Sequence, residues 1–317
     1  MLKLLRLLAD GFFHSGNELG AELGISRAAV WKRLQGLKDE FGVELQSVPG
    51  KGYRLSHPLN FIDLNILQAN FQYLPIFTYE SISSTNEYAK KLLTTQFAPL
   101  AVLAEHQTLG RGRRGRQWNS PYAQNLYLSF VWPVTQGMAQ IDGLSLVVGL
   151  AVARAVEQVL ETSAQLKWPN DVLINNCKVA GILLELVGDP ADLCHVIIGI
   201  GVNLNMIASH QVIDQQWTSL ALETGKQIDR TEFAQRILES LDLYLVQQKK
   251  HGFSSLKDEW LSLHAWQGRQ VVLSAGNEQV QGRICGLGDK GEVCLLVNGQ
   301  ERLFVGGELS LRLQNDS

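Results

Sequence analysis

The stretch Gly110–Trp118, GRGRRGRQW, places the tightest limits on what this chain can become. Four arginines (Arg111, Arg113, Arg114, Arg116) alternate with Gly110, Gly112 and Gly115. Glycine lets backbone N–H groups come close to a ligand. Arginine is a permanent cation whose fork matches carboxylate or phosphate. The chain as a whole is acidic, 28 Lys+Arg against 31 Asp+Glu, so the cluster is a local exception. Arg/Gly runs also occur as disordered nucleic-acid tails. Here the apolar, β-prone runs Leu100–Glu105 and Leu126–Trp132 flank it, and Trp118 needs somewhere to pack. We therefore expect an ordered loop between two strands. No Gly-Lys-Ser/Thr follows, so it is not a P-loop. Taken alone, the loop says only that an anion is held there.

Length and composition bound the rest. At 317 residues the chain suggests two or three domains, and at 45% hydrophobic and 19% charged it can bury a sizeable core. Gly143–Leu160 comes nearest to a membrane span but is interrupted by Arg154 and Glu157, so no spanning helix and no membrane partner are expected. Met1–Ala9 is basic and apolar but too short for a signal peptide. Cys177, Cys194, Cys285 and Cys294 form no CxxC pair and read as reduced thiols of a cytoplasmic protein.

Residues 1–60 form a unit of their own. Ser15-Gly16-Asn17-Glu18 is a capping box, and the helix it opens stops at Gly24. Ser26 can cap the next helix, where Val30, Leu34 and Leu37 share one face and Ser26, Arg27, Trp31, Lys32 and Gln35 the other. Helix, short turn and polar-faced second helix make the helix-turn-helix pattern. Val43–Ser47 and Tyr53–Leu55 can pair around Pro49-Gly50-Lys51-Gly52 as a wing tipped by Lys51. The unit carries a net charge of +2 against −5 for the remainder, which suits a DNA reader, although such hairpins also serve as scaffolding.

Further along, Ile76–Tyr79 reads as a strand that delivers Ser83-Ser84-Thr85-Asn86-Glu87 to a helix N-terminus. That is a good place for a polar head group, and equally a place where Ser84 or Thr85 merely caps. Ile141–Leu160 reads as a long buried helix. Lys167-Trp168-Pro169-Asn170-Asp171 then leads into a hairpin around Asn175-Asn176, with Lys178 at the start of the return strand. Lys167, Asp171 and Lys178 are three charges in strands that read as buried, either a structural pair or a functional group. His195–Asn205 is an apolar run broken by Gly199 and Gly201, where a ligand or another backbone should lie close. The loop Met206–Gln216 precedes Trp217, which can stack on a base or sit in a core. Arg230–Lys250 reads as an amphipathic helix. From Trp266 onward, short β runs separated by Gly276-Asn277, Asp289-Lys290-Gly291 and Asn298-Gly299 indicate a small all-β barrel.

GRGRRGRQW, KWPND with the following KVAGILLE, and SSTN together resemble the bifunctional biotin–protein ligases that also repress biotin synthesis genes. The resemblance covers essentially the whole chain. It implies an α+β multidomain protein: a winged helix-turn-helix over 1–60, a mixed α+β catalytic domain of the biotin/lipoate ligase type over 61–265, and an SH3-like barrel over 266–317. It implies activation of biotin by ATP with Mg²⁺, transfer to a lysine of a biotin carboxyl carrier protein, and an adenylate-bound homodimer on operator DNA. The biotin-contacting positions match Ser84, Thr85, Asn86, Gln107, Arg111, Gly112, Arg113 and Lys178. Arg113, Lys178, Asp171 and Lys167 match the catalytic set; Arg113, Asn203 and Trp217 match the adenylate side. Ser26, Arg27, Trp31, Lys32 and Lys51 are the DNA-facing candidates, with Trp31 departing from an Asn-type base reader. No protein metal ligand is implied.

The residues support that chemistry. Biotin's carboxylate must attack the α-phosphate of ATP, and two anions repel, so cations aimed at both stabilise the transition state. No Ser or Cys nucleophile is needed for a mixed anhydride. Two rival readings are a lipoate-type ligase, which would not need the polar head-group set, and a biotin-sensing repressor that has lost catalysis, against which the charged set argues.

Overall fold

In a computed structural model the chain is described except for residues 136, 161–162, 189–193, 210–212, 277, 308 and 315–317. At the N-terminus, α1 (Leu2–Leu8), α2 (Gly16–Leu23) and α3 (Arg27–Phe41) precede a two-stranded wing, β1 (Leu45–Val48) and β2 (Gly52–Leu55). Local signals set the boundaries of α2 and the start of α3. Ser15 and Glu18 close a reciprocal capping box, Gly24 ends α2 at φ 65°, and the Ser26 hydroxyl accepts from Ala29 N–H at 3.3 Å. Leu4, Leu5, Leu8, Leu19, Val30, Leu34 and Leu37 close a core over which Val43 and Leu55 fold. One aromatic joins that core from far away: Tyr122 lies 4.8 Å from the Phe41 ring, edge to face.

The next stretch supplies α4 (Leu64–Asn70), β3 (Ile76–Ile82), α5 (Thr85–Leu92), β4 (Leu100–Gln107), β5 (Leu126–Val134), α6 (Leu144–Glu157), β6 (Gln165–Lys167), β7 (Asp171–Ile174), β8 (Cys177–Gly188) and β9 (Cys194–Val202). After these come α7 (Leu220–Thr224), α8 (Arg230–His251) and α9 (Lys257–Ser262). The seven strands form one sheet in the order β3-β4-β5-β9-β8-β7-β6, antiparallel except for β3 with β4. Asn175 and Asn176 take φ 51° and 63° at the β7–β8 turn, the conformation asparagine tolerates best after glycine. Helix α6 is shorter than Ile141–Leu160 because a 3₁₀ turn, Met138–Ile141, precedes it. By length and composition alone Ala139–Glu157 would pass as a membrane span, mean hydropathy 1.5, but 67% of it is buried inside the protein, as befits a core helix.

Helices α6 and α8 cover one face of the sheet, and α5 with the Arg-Gly loop covers the other. The C-terminal strands β10 (Gln270–Ala275), β11 (Glu278–Leu287), β12 (Val293–Val297), β13 (Gln300–Phe304) and β14 (Ser310–Leu313) form a five-stranded antiparallel sheet ordered β13-β12-β11-β10-β14. Strand β14, four residues with Leu311 and Leu313 apolar, is too short to set a period in the sequence. The expected turn position 277 lies outside the described residues. The inner residues Val271, Leu273, Ile284, Val293, Leu295 and Leu311 belong to the same apolar cluster as α6, β8 and β9. Trp168 Nε1 donates to the Gly291 carbonyl at 3.0 Å, tying KWPND to this sheet. The four cysteines are free thiols.

Arg230, at the first turn of α8, is 0% exposed. Its guanidinium donates to the Glu105 carboxylate, to the Asn60 carbonyl at 2.7 Å and to the Asn125 carbonyl at 3.0 Å. Its backbone N–H reaches the Asn60 side chain at 2.7 Å, and Glu105 also accepts from Ile62 N–H at 2.9 Å. Nε and Nη1 make all of these side-chain bonds, while Nη2 is buried without a partner among the described residues, and the bonded cation fixes the segment around Asn60 to both β4 and α8.

Candidate functional site

The site starts from an alternation in two strands. On β8 and β9, Gly181 pairs with Gly201 and Leu183 with Gly199. Successive side chains leave a strand on opposite faces, so Ile182, Ile198 and Ile200 enter the core while the glycines open the other face. A Cβ at Gly201 would lie 2.5 Å from the Trp118 indole, and one at Gly199 would lie 2.4 Å from Asn86 Oδ1. The glycines thus admit two side chains, where the sequence had suggested a ligand or another backbone. Trp118 and this glycine floor bound a narrow pocket.

One end of the pocket is polar and neutral. Ser84 holds the N-cap position of α5 but makes no side-chain capping bond among the described residues, and it lines the pocket. Thr85 donates through its N–H (2.9 Å) and Oγ1 (3.1 Å) to Gln107 Oε1, and Gln107 Nε2 donates to Ser120 Oγ at 3.1 Å. Asn86 is 3% exposed, accepts from Ser129 Oγ at 2.5 Å, and donates to Glu185 Oε2 at 2.7 Å. Its amide therefore belongs to the pocket wall.

The other end is cationic. Lys178 Nζ sits 2.7 Å from Asp171 Oδ1 and 5.5 Å from the centre of the Trp118 ring. Lys167 is 3.8 Å from the second oxygen of the same carboxylate and lies over Trp266. Burial pushes the Lys167 ammonium below the usual lysine range; Asp171 opposes this, while Lys178, Arg116 and Arg312 reinforce it. Arg113 donates to Asn170 Oδ1 at 2.8 Å and to the carbonyls of Gly307 and Leu309, the latter at 2.9 Å. It thus joins KWPND and the C-terminal sheet at the mouth of the pocket. Arg111 pairs with Glu185 at 2.8 Å. Gly112 lines the pocket beside both arginines.

The structure thus gathers Ser84, Thr85, Asn86, Gln107, Arg111, Gly112, Arg113 and Lys178 around one cavity, with Lys167 and Asp171 behind Lys178. Asn203 and Trp217 stand apart from its lining. Asn203 is buried and donates to the Thr218 carbonyl at 3.0 Å. Trp217 lies on a segment hydrogen-bonded to Lys178, with Lys178 N–H to the Gln216 carbonyl at 3.0 Å and Thr218 N–H to the Lys178 carbonyl at 2.9 Å. Of the loop Met206–Gln216, positions 210–212 lie outside the described residues. In the N-terminal unit, Arg27, Trp31 and Lys32 are exposed on α3 and Lys51 at the wing tip, with Trp31 at 55%. The Ser26 oxygen is occupied as a helix cap. Glu185 and Asn170 escaped the sequence reading as site residues. The signal for Glu185 was there, a lone acid in the apolar run KVAGILLELV.

The sequence matches the Biotin/lipoate A/B protein ligase family over residues 78–203 and an HTH domain over residues 1–54. It is 38% identical to a bifunctional ligase/repressor of Salmonella typhimurium over 312 residues, covering 98% of this chain and 97% of that one. The chain belongs to the bifunctional biotin ligase/repressor family. A Bacillus subtilis ligase/repressor is 32% identical over 298 residues, 92% of this chain and 91% of that one. The biotin protein ligase of Aquifex aeolicus, solved with biotin and ATP, superposes with a TM-score of 0.67 at 33% identity, covering 76% of this ligase and 99% of that chain.

Proposed function

We propose that this ligase converts biotin and Mg-ATP to biotinyl-5'-AMP, transfers biotin to a lysine of a biotin carboxyl carrier protein, and as an adenylate-bound dimer represses biotin synthesis genes. The observation that carries the reading is a single glycine-floored pocket with a neutral polar end at Ser84, Thr85 and Gln107 and a cationic end at Lys178 and Arg113. A ureido head fits the first and a carboxylate the second. Asn86 shapes the wall between them.

In the first step, a biotin carboxylate oxygen attacks the α-phosphorus of ATP and pyrophosphate leaves. Lys178 and Arg113 hold the two anions together and stabilise the added charge. Asp171 orients Lys178, and Lys167, on the same carboxylate, supports the charge balance. In the second step, the acceptor lysine amine attacks the acyl carbon and AMP leaves. Trp217 and Asn203 contribute on the adenylate side through the segment bonded to Lys178. The carboxylates beside the pocket, Asp171 and Glu185, are both paired with cations, so Mg²⁺ would arrive on the phosphates of ATP and there neutralise their charge. We assign 1–60 to DNA binding through Arg27, Trp31, Lys32 and Lys51, 61–265 to catalysis, and 266–317 to the small C-terminal sheet that holds Arg113 from behind. A cytoplasmic setting agrees with the four free thiols.

The test is pyrophosphate exchange into ATP with biotin or lipoate as the acid. Biotin-dependent exchange is expected, and exchange driven by lipoate instead would overturn the substrate. For repression, sedimentation and DNA shift at fixed salt should show biotin plus Mg-ATP raising dimer fraction and operator affinity together. A monomer binding operator equally well without ligand would end the co-repressor mechanism and leave the ligase standing.

A further inference from the structure

We infer that Glu185 is a positioning residue: it latches the Arg-Gly loop onto the pocket wall, and Arg111 serves loop position more than anion charge. The inference deepens the ligase reading and rests on it for the biotin measurement only.

A single oxygen, Glu185 Oε2, accepts from Asn86 Nδ2 at 2.7 Å and from Arg111 Nη2 at 2.8 Å. Asn86 is locked from its other side by the Ser129 hydroxyl and lies in the space left by Gly199. The result is a chain of contacts, Ser129–Asn86–Glu185–Arg111, running from β5 through the N-terminus of α5 and β8 to the Arg-Gly loop. Its inner end is buried and its outer end is not: the Arg111 side chain is 45% exposed and that of Glu185 33%. A half-exposed ion pair held by two loose side chains contributes little. Here one partner is fixed by a buried amide, so the arginine loses its freedom to a rigid acceptor. Glu87 also faces Arg111, lying close enough that the guanidinium helps hold its carboxyl below the usual range, after its bonds to Ser83 and Lys91. Arg111 is therefore already paired with Glu185 before any substrate arrives, with Glu87 a weaker acidic neighbour.

Residues 110–116 contain four arginines, so trypsin reads the loop directly in the full-length protein, without ligand. Glu185→Ala should speed cleavage within the loop by about 5–10-fold and raise KM for biotin by a similar factor, with kcat of pyrophosphate exchange changing by less than about threefold, the size expected when a half-exposed tie is lost. Glu185→Asp should recover part of both, because it restores the charge at shorter reach. Arg111→Ala, which cuts the latch from the other end, should speed cleavage at the remaining arginines to the same degree. Loop cleavage and KM at wild-type values in Glu185→Ala would overturn the latch, as would a loss confined to kcat. If wild type fails biotin-dependent exchange, the substrate reading falls, while the cleavage rates still decide the latch.

Discussion

The N-terminal module and the ligand pocket are built by opposite means. In the module, partners that fix a boundary lie three residues apart, as Ser15 with Glu18 and Ser26 with Ala29. In the pocket, Asn86 meets Glu185 across 99 residues and Arg113 meets Leu309 across 196; elsewhere in the same domain, Glu105 meets Arg230 across 125. A unit specified by neighbours should lose a little with each side chain removed. A unit specified by distant ties should lose much, because each tie leaves a buried group unanswered when cut.

That contrast can be broken in four places. The largest expected effect is Arg230→Met, which leaves Glu105 buried without its cation and should cost about 3–5 kcal/mol of stability, read as a lower urea midpoint. Next is acid. His264 is buried, its Nδ1 accepts from Trp266 N–H at 3.1 Å, and burial holds its pKa down at about 4 from 6.5. Between pH 6.5 and about 4 the unfolded chain binds a proton there and the folded one does not, so stability falls as pH drops through that window. The loss is on the order of 3 kcal/mol, and His264→Asn should flatten the slope of urea midpoint against pH. Lys178→Ala should slow biotin-dependent pyrophosphate exchange by about 10²-fold or more, and normal adenylate formation would remove this lysine from its assigned role. The smallest effect is Ser15→Ala, about 1 kcal/mol in the N-terminal module, with exchange activity unchanged. Equal losses in Ser15→Ala and Arg230→Met would dissolve the contrast.

The same division explains what the sequence disclosed. Caps, the Asn175-Asn176 turn and the apolar periods of α3 and β9 are written in adjacent residues, and they were readable. So was the existence of a site, because a Gly/Arg loop and lysines in apolar strands are costly without a use. Apart from the pairing of the lysines with Asp171, the partners of those groups were not readable. Nothing near Arg113 announces that carbonyls from the C-terminal sheet receive it, and Glu185 carries no local mark of being shared by Asn86 and Arg111. The glycines of β9 announced a close approach correctly, but whether a ligand, a backbone or the Trp118 ring would fill the space is decided by tertiary packing.

The bonds of Arg230 bear on where the chain can be cut. A catalytic fragment beginning at residue 61 would discard both the carbonyl and the side-chain oxygen of Asn60, two acceptors of a fully enclosed cation and its helix, and would strip the Phe41 ring from Tyr122. A fragment beginning at His57 keeps the Asn60 acceptors. It also keeps Pro58, whose carbonyl receives the Gln227 amide at 3.0 Å. Residues 57–60 thus bond to both sides, since Leu59 N–H also donates to the Ala9 carbonyl at 2.9 Å, and a cut before His57 spares the ligase side at the module's expense.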